Sequence, residues 1–242
     1  MYCSNDVSVD ILVNGNSTAK YYKDGKVFIE AKDGSEYEIL IKNNSFNKIL
    51  AVSSVDGLNV LSGEPSHEND GGYIINCYDS YRIKGFRYSD EKVGAFEFSK
   101  KENSYASSKS KEYSINCGAI SVRSYNENIN YTISTNSVST KWINLTTNGY
   151  TIDNTPIITC AHNGVEHLSL NSFDMGSSWG RSKESKVTPT DFDRGVISCS
   201  SDIYYASRGY LIEMGVIQTN KSQVAFPNSF PRYAIPPKGW TE

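Results

Sequence analysis

The sequence predicts a mainly β protein, an antiparallel β-sandwich of jelly-roll-like form over residues 1–124. A smaller β-rich region with one short helix and a Pro-rich extended tail follows. Three observations predict this. Short apolar runs alternate with polar residues at a spacing of roughly ten residues, and Gly-containing turns separate them. The chain carries 34 serines and 22 asparagines, which compete with the helical backbone and favour turns. Val, Ile, Tyr, Phe and Thr supply most of the bulk, and these residues suit a pleated, half-buried surface.

The elements follow in order. Val7, Val9, Ile11 and Val13 alternate with Ser8 and Asp10 and end at Asn14-Gly15, a turn signal. Lys23-Asp24-Gly25-Lys26 precedes the strand Val27-Phe28-Ile29, and Asp33-Gly34 separates that strand from Tyr37–Ile41. Asn43-Asn44 breaks the chain before Ile49–Val55, and Asp56-Gly57 turns it into Leu58–Leu61. A polar loop over 62–72 precedes Tyr73-Ile74-Ile75, Tyr81-Arg82-Ile83 and Val93–Phe98. Lys100–Lys111 is rich in Ser and Lys and reads as a surface loop. Cys117–Val122 closes the set, giving eight or nine strands, enough for two facing sheets that cover each other's apolar faces.

Residues 125–160 lose this rhythm and read as an extended connector. Tyr131, Trp142 and several isoleucines distinguish it from a flexible Gly/Ser linker. Residues 161–242 form the smaller region. Phe173–Gly180 reads as an irregular loop with aromatic anchors, and Lys186–Phe192 with Val196–Tyr205 as a hairpin. Ser207–Met214 is the best helix, with Ser207 as its cap and Gly215 as its stop. The tail beyond Val216 carries Pro227, Pro231, Pro236, Pro237 and Trp240 and reads as an extended docking segment.

Charge and hydropathy exclude several classes. The chain has 24 basic and 27 acidic residues, so it lacks the basic surplus of a nucleic-acid binder. The apolar runs are too short for a membrane helix. The start, Met1-Tyr2-Cys3-Ser4-Asn5, has no basic and apolar leader, so a signal peptide is expected to be absent or removed. Five widely spaced cysteines, Cys3, Cys77, Cys117, Cys160 and Cys199, argue against a disulfide framework. Cys77, Cys117 and Cys199 lie in strand-like runs and read as small buried hydrophobes. Glycosylation sequons at Asn16, Asn43, Asn130, Asn144 and Asn220 match what this Asn and Ser content produces by chance.

Chemistry-bearing clusters are sparse. Cys160, His162, Glu166 and His167 are zinc-type ligands, but the second cluster of a structural site is missing and His67 is remote. A turn at His162-Asn163-Gly164 is the simpler reading. No nucleophile elbow, zincin helix or phosphate loop occurs, and carboxylates such as Asp174 and Glu184 have no distinguishing context. The expectation is therefore no enzyme, and no catalytic, cofactor-binding or metal residues. Tyr21, Tyr22, Tyr78, Tyr81 and Tyr88 could form a sugar platform, although Tyr is equally at home in strands and interfaces. Arg82–Lys92 is the most basic window and reads as a solvated loop or a contact surface for an acidic neighbour.

Several stretches resemble a poorly characterised β-rich family of bacterial, large double-stranded DNA virus and tailed-phage genomes. They are Val52–Gly63, Gly72–Ile75, Arg82–Arg87, Val93–Phe98, Ser104-Tyr105-Ala106, Asp202–Arg208 and Met214-Gly215-Val216. The resemblance spans about half the chain and brings no catalytic residues. It implies a structural protein of a viral particle, a capsid decoration or minor capsid protein. Such a protein would be located in the virion, hold capsid or other virion proteins and possess the option of homo-oligomerisation, without nucleic acid or membrane. A carbohydrate- or protein-binding module is the alternative, with a cytoplasmic location, and an uncharacterised hydrolase is the second.

Overall fold

The computed structural model describes residues 6–128, 173–218 and 238, and the backbone of residues 2 and 3. Its strands are β1 (Tyr2–Cys3), β2 (Val7–Val13), β3 (Asn16–Ser17), β4 (Lys20–Lys23), β5 (Lys26–Glu30) and β6 (Glu36–Asn43). Then come β7 (Ile49–Val55), β8 (Leu58–Asn59), β9 (Tyr73–Ile75), β10 (Ser80–Ile83), β11 (Gly85–Arg87) and β12 (Lys92–Lys100). The short helix α1 (Tyr105–Lys109) leads to β13 (Ala119–Glu127). After the undescribed stretch come β14 (Met175–Glu184), β15 (Arg194–Ala206) and helix α2 (Arg208–Glu213).

The strands form two sheets. One runs β4-β5-β15-β13-β7-β8, with β1 on β15 and β9 on β7. The other runs β11-β12-β6-β2-β3, with β10 on β6 and β14 on β12. Pairing is antiparallel except where β15 runs parallel to β5, with Ile203 opposite Val27. Alternation decides which side chains meet between the sheets. Val7, Val9 and Ile11 from β2 join Ile39 and Ile41 from β6, facing Ile49, Ala51, Ile120, Val122 and Ile203. This is the expected sandwich. Its sheets recruit strands from both sides of residue 124: β14 joins one sheet, and β15 occupies the middle of the other.

The dipeptide turns behave as their chemistry requires. Asn14-Gly15, Asp24-Gly25 and Asp56-Gly57 all have positive φ at both residues, the backbone of a two-residue hairpin that matches strand twist. α2 begins where Ser207 accepts a hydrogen bond from the Tyr210 N–H at 3.3 Å and ends at Gly215, whose φ is 68°. Its Leu211 is buried with Phe28, Phe173 and Ala206 on the outer face of the β15 sheet. The Ser207→Ala protein is expected to lose about 1 kcal/mol of stability, readable as a small drop in thermal midpoint.

Four local expectations need correction. Lys100–Lys111 is not a loop: Ser104 caps α1 by accepting from the Ser107 N–H, and Ala106 is buried in the core. Phe173–Gly180 is not irregular, since Met175 onward is β14, stabilised by pairing along β12 from Lys100 to Lys92. Lys186–Phe192 makes no strand, so β15 has no hairpin partner there. Its partners are β13, β5 and β1, remote in sequence. The basic window is a solvated loop only over 88–91, because Gly85–Arg87 is β11 and Phe86 is in the core.

The cysteines also divide differently. Cys117 and Cys199 are buried as expected, Cys199 in a disulfide, but Cys77 is exposed. Wide spacing in sequence does not prevent cysteines from meeting once strands fold back. The buried amide of Asn43 donates to the Asn47 and Asn76 carbonyls. That sequon is therefore a loop staple rather than a glycan acceptor. The connector beyond residue 128, the Cys160–His167 cluster and the Pro-rich tail lie outside the described residues.

Candidate functional site

The densest polar chemistry lies between the sheets. Asp56 sits in the tight turn after β7, with 1% of its surface exposed. One carboxylate oxygen accepts from the Tyr205 hydroxyl at 2.5 Å and the Gly118 N–H at 2.9 Å. The other accepts from the Ser177 N–H at 2.7 Å. Tyr205 lies 2.8 Å from Ser177 Oγ, which lies 2.5 Å from the Tyr37 hydroxyl. Because Tyr205 gives its one proton to Asp56, donation along the chain runs in one direction. Tyr37 donates to Ser177, Ser177 to Tyr205, and Tyr205 to Asp56, so every hydroxyl has a partner when Asp56 is ionised.

The chain links both sheets, since Tyr37 and Ser177 belong to one and Tyr205 to the other. Aromatic packing fixes it. Tyr37 stacks on Phe98 with ring centres 4.2 Å apart, and Phe98 meets Tyr205 at 5.1 Å. Burial raises the Asp56 carboxyl to about 6, against the pull of Tyr205 and the backbone donors of Ser177 and Gly118. Burial also pushes the Tyr37 and Tyr205 hydroxyls well above their ordinary range. It raises the Cys117 thiol to about 11, and the nearby Asp56 charge adds to that rise. These groups are packed against one another inside the core.

A cleft of about 620 Å³ opens at one edge of the sandwich. It runs between β9 of one sheet and β10 of the other, whose Tyr73 and Tyr81 rings stand 4.7 Å apart. The segment 186–190 forms its third wall. Lys48, Arg87 and Lys186 line it, and among the described residues no carboxylate does. The Arg87 guanidinium donates to Tyr73 Oη at 3.2 Å, to the Ser89 and Ser185 carbonyls and to Ser185 Oγ. All are neutral acceptors, so they hold the guanidinium without cancelling its charge. Lys48 has the Glu127 carboxylate 3.6 Å away.

A second cleft, about 430 Å³, lies on the outer face of the β15 sheet under the 65–68 loop. Ser54, Ser121, Arg123 and Tyr125 form its floor, with His67 and Glu68 at its side. Arg194 ties this loop down by donating to the Glu68 and Asp70 carbonyls while lying 4.7 Å from the Tyr125 ring centre. Arg123 is paired with Asp202 at 2.9 Å.

The five tyrosines proposed as a sugar platform do not share a face. Tyr21 packs beside α2, Tyr22 is exposed on β4, Tyr81 belongs to the edge cleft and Tyr78 projects from a turn. Among the described residues only Tyr88 finds an aromatic companion in the open: Trp179, at 5.9 Å, the two residues being 49% and 40% exposed. Trp179 also stacks on Phe86 at 5.8 Å and lies over Gly94. His67 is exposed, and among the described residues no three His, Cys, Asp or Glu side chains gather as a metal cluster.

Sequence reasoning missed the Asp56 network and the edge cleft. Asp56 carried only a turn signal, and its partners are as much as 149 positions away. The basic window did foreshadow the cleft, because it contains Arg87. Comparison with protein-family models, curated proteins and solved structures finds no match to this chain.

Proposed function

We propose that this chain is a non-enzymatic component of a larger protein assembly, acting through protein–protein contacts. We further propose that the assembly is a viral particle, in which the chain is a decoration or minor capsid protein. One observation carries the reading. The groups with the most strongly displaced acid–base behaviour, Asp56, Tyr37, Tyr205 and Cys117, are packed into the core, where they join the sheets. The open cleft instead offers aromatic, aliphatic and cationic walls, which suit a partner surface. The resemblance of Val52–Gly63 and its companion stretches to proteins of virus and phage genomes supplies the setting.

Mass spectrometry of purified particles from the source of the chain tests this. Stoichiometric recovery is the expected result. Absence from particles, with abundance in the host cytoplasm, overturns the virion assignment. A sugar-binding role has one observation in its favour, the exposed Tyr88–Trp179 pair. Saturable binding on a glycan array, lost in Trp179→Ala, would favour that role.

A further inference from the structure

We propose that the edge cleft between β9 and β10 is the seat of an extended, acidic segment of a partner protein, which adds a strand to β9. This rests on the reading of the chain as a protein-binding component and names the chemistry of its partner.

Three observations converge. The first concerns the strand. Neighbouring residues of a strand point to opposite faces, yet the cleft touches both Tyr73 and Ile74, together with Gly72 and Asn76. It therefore meets β9 along its edge. Among the described residues β9 pairs with β7 on one side only; at its end the Asn76 carbonyl already accepts from the Asn43 amide and the Asp79 N–H, and the stretch before it offers the backbone groups for an added strand. The second is charge. Among the described residues Lys48, Arg87 and Lys186 line the cleft without a lining carboxylate, and the acceptors around Arg87 are neutral. Lys48 has Glu127 beside it, but a carboxylate side chain would supply the counter-charge that the neutral acceptors around Arg87 do not. The third is the wall. Ile74 and Val187 add apolar surface to the same lining, which suits the apolar side chains of an extended segment.

The test uses a short peptide alternating valine and glutamate, fluorescein-labelled, with a valine–glutamine peptide as control. Titration into the full-length protein is followed by anisotropy and by amide shifts. The expected result is saturable binding of the glutamate peptide, with shifts at Gly72–Asn76 and Val187–Thr190. The glutamine peptide and the Lys48→Glu/Lys186→Glu protein should each bind about tenfold more weakly. Both lysines carry surface-reaching side chains, so the variant should retain the wild-type amide spectrum outside the cleft. Equal binding of the two peptides, unchanged affinity in the variant, shifts elsewhere or no binding would each overturn the proposal. Amides of β9 already protected from exchange in the free protein, without peptide binding, would place another part of the chain there and also overturn it.

Particle recovery separates this inference from the reading beneath it. Loss of the lysine variant from particles that retain the wild type supports the cleft as the seat. Recovery of both overturns the cleft and leaves the assembly role standing. If neither is recovered, the virion assignment fails and the peptide titration alone judges the cleft.

Discussion

Replacing Asp56 with alanine is expected to destabilise the protein by roughly 3 kcal/mol or more. The loss follows from the three donors that converge on the carboxylate: the Tyr205 hydroxyl and the Ser177 and Gly118 amides. Each would be left buried without an acceptor, at about 1–3 kcal/mol apiece before relaxation. Asp56→Asn should cost less, since one amide oxygen survives and asparagine tolerates the left-handed backbone at this turn, where φ is 52°. Denaturant unfolding of the two variants beside the wild type gives the order wild type, Asn, Ala.

The same carboxyl makes stability depend on pH in a direction opposite to that of most acidic groups. Its folded value is about 6 against an ordinary 3.8. Between these values the folded chain holds a proton that the unfolded chain has released. The associated stability is fully present below the ordinary value and is lost as pH rises through about 6, roughly 3 kcal/mol in all. Glu36 acts the other way, being held below its usual range by hydrogen bonding to Lys183. The informative quantity is thus the difference between wild type and Asp56→Asn, measured from pH 4 to 7. It should change by a few kcal/mol across that span. A difference independent of pH would contradict the assigned environment of Asp56.

Gly85→Ala is the second change expected to be severe. A Cβ at this position would stand 2.0 Å from the Gly94 carbonyl oxygen, and backbone cannot rotate away as a side chain can. β11 and β12 would have to part. Phe86 would move with β11, disturbing its contacts with Phe96 at 5.0 Å and Trp179 at 5.8 Å. A loss of about 3 kcal/mol is expected, or roughly 6–12 °C in thermal midpoint. Gly209→Ala is the contrasting case. It lies in α2 with open space around it, its nearest neighbour being Ser207 Oγ at 4.0 Å. Alanine there should raise stability by about 0.5–1 kcal/mol.

What could be read from sequence was what depends on neighbours in sequence. Asn14-Gly15 and Asp56-Gly57 announce hairpins because both residues tolerate positive φ. Ser207 and Gly215 bracket α2 through hydrogen bonds within a few residues. β14 was misread because Gly176, Ser177, Ser178 and Gly180 have low strand preference. Its conformation comes from the ladder with β12. α1 was hidden by serines, and the cap that starts it is itself one of them. The candidate cleft is assembled from residues 48, 61, 72–74, 76, 81, 87 and 186–190, and no local pattern ties these together. The acidic turn residue became a core carboxylate for the same reason: Ser177 and Tyr205 reach it only through the folded topology.

The position of β15 has a consequence for how the chain acquires its structure during synthesis. It is bordered on one side by β13 and on the other by β5 and β1. Until residue 206 has left the ribosome, the flanking strands of that sheet have no partner along these edges. Nascent chains stalled before β15 should therefore remain protease-sensitive and dependent on chaperones, since exposed strand edges invite mispairing. The order of translation, rather than the stability of the finished sandwich, becomes the interval of greatest risk for this protein.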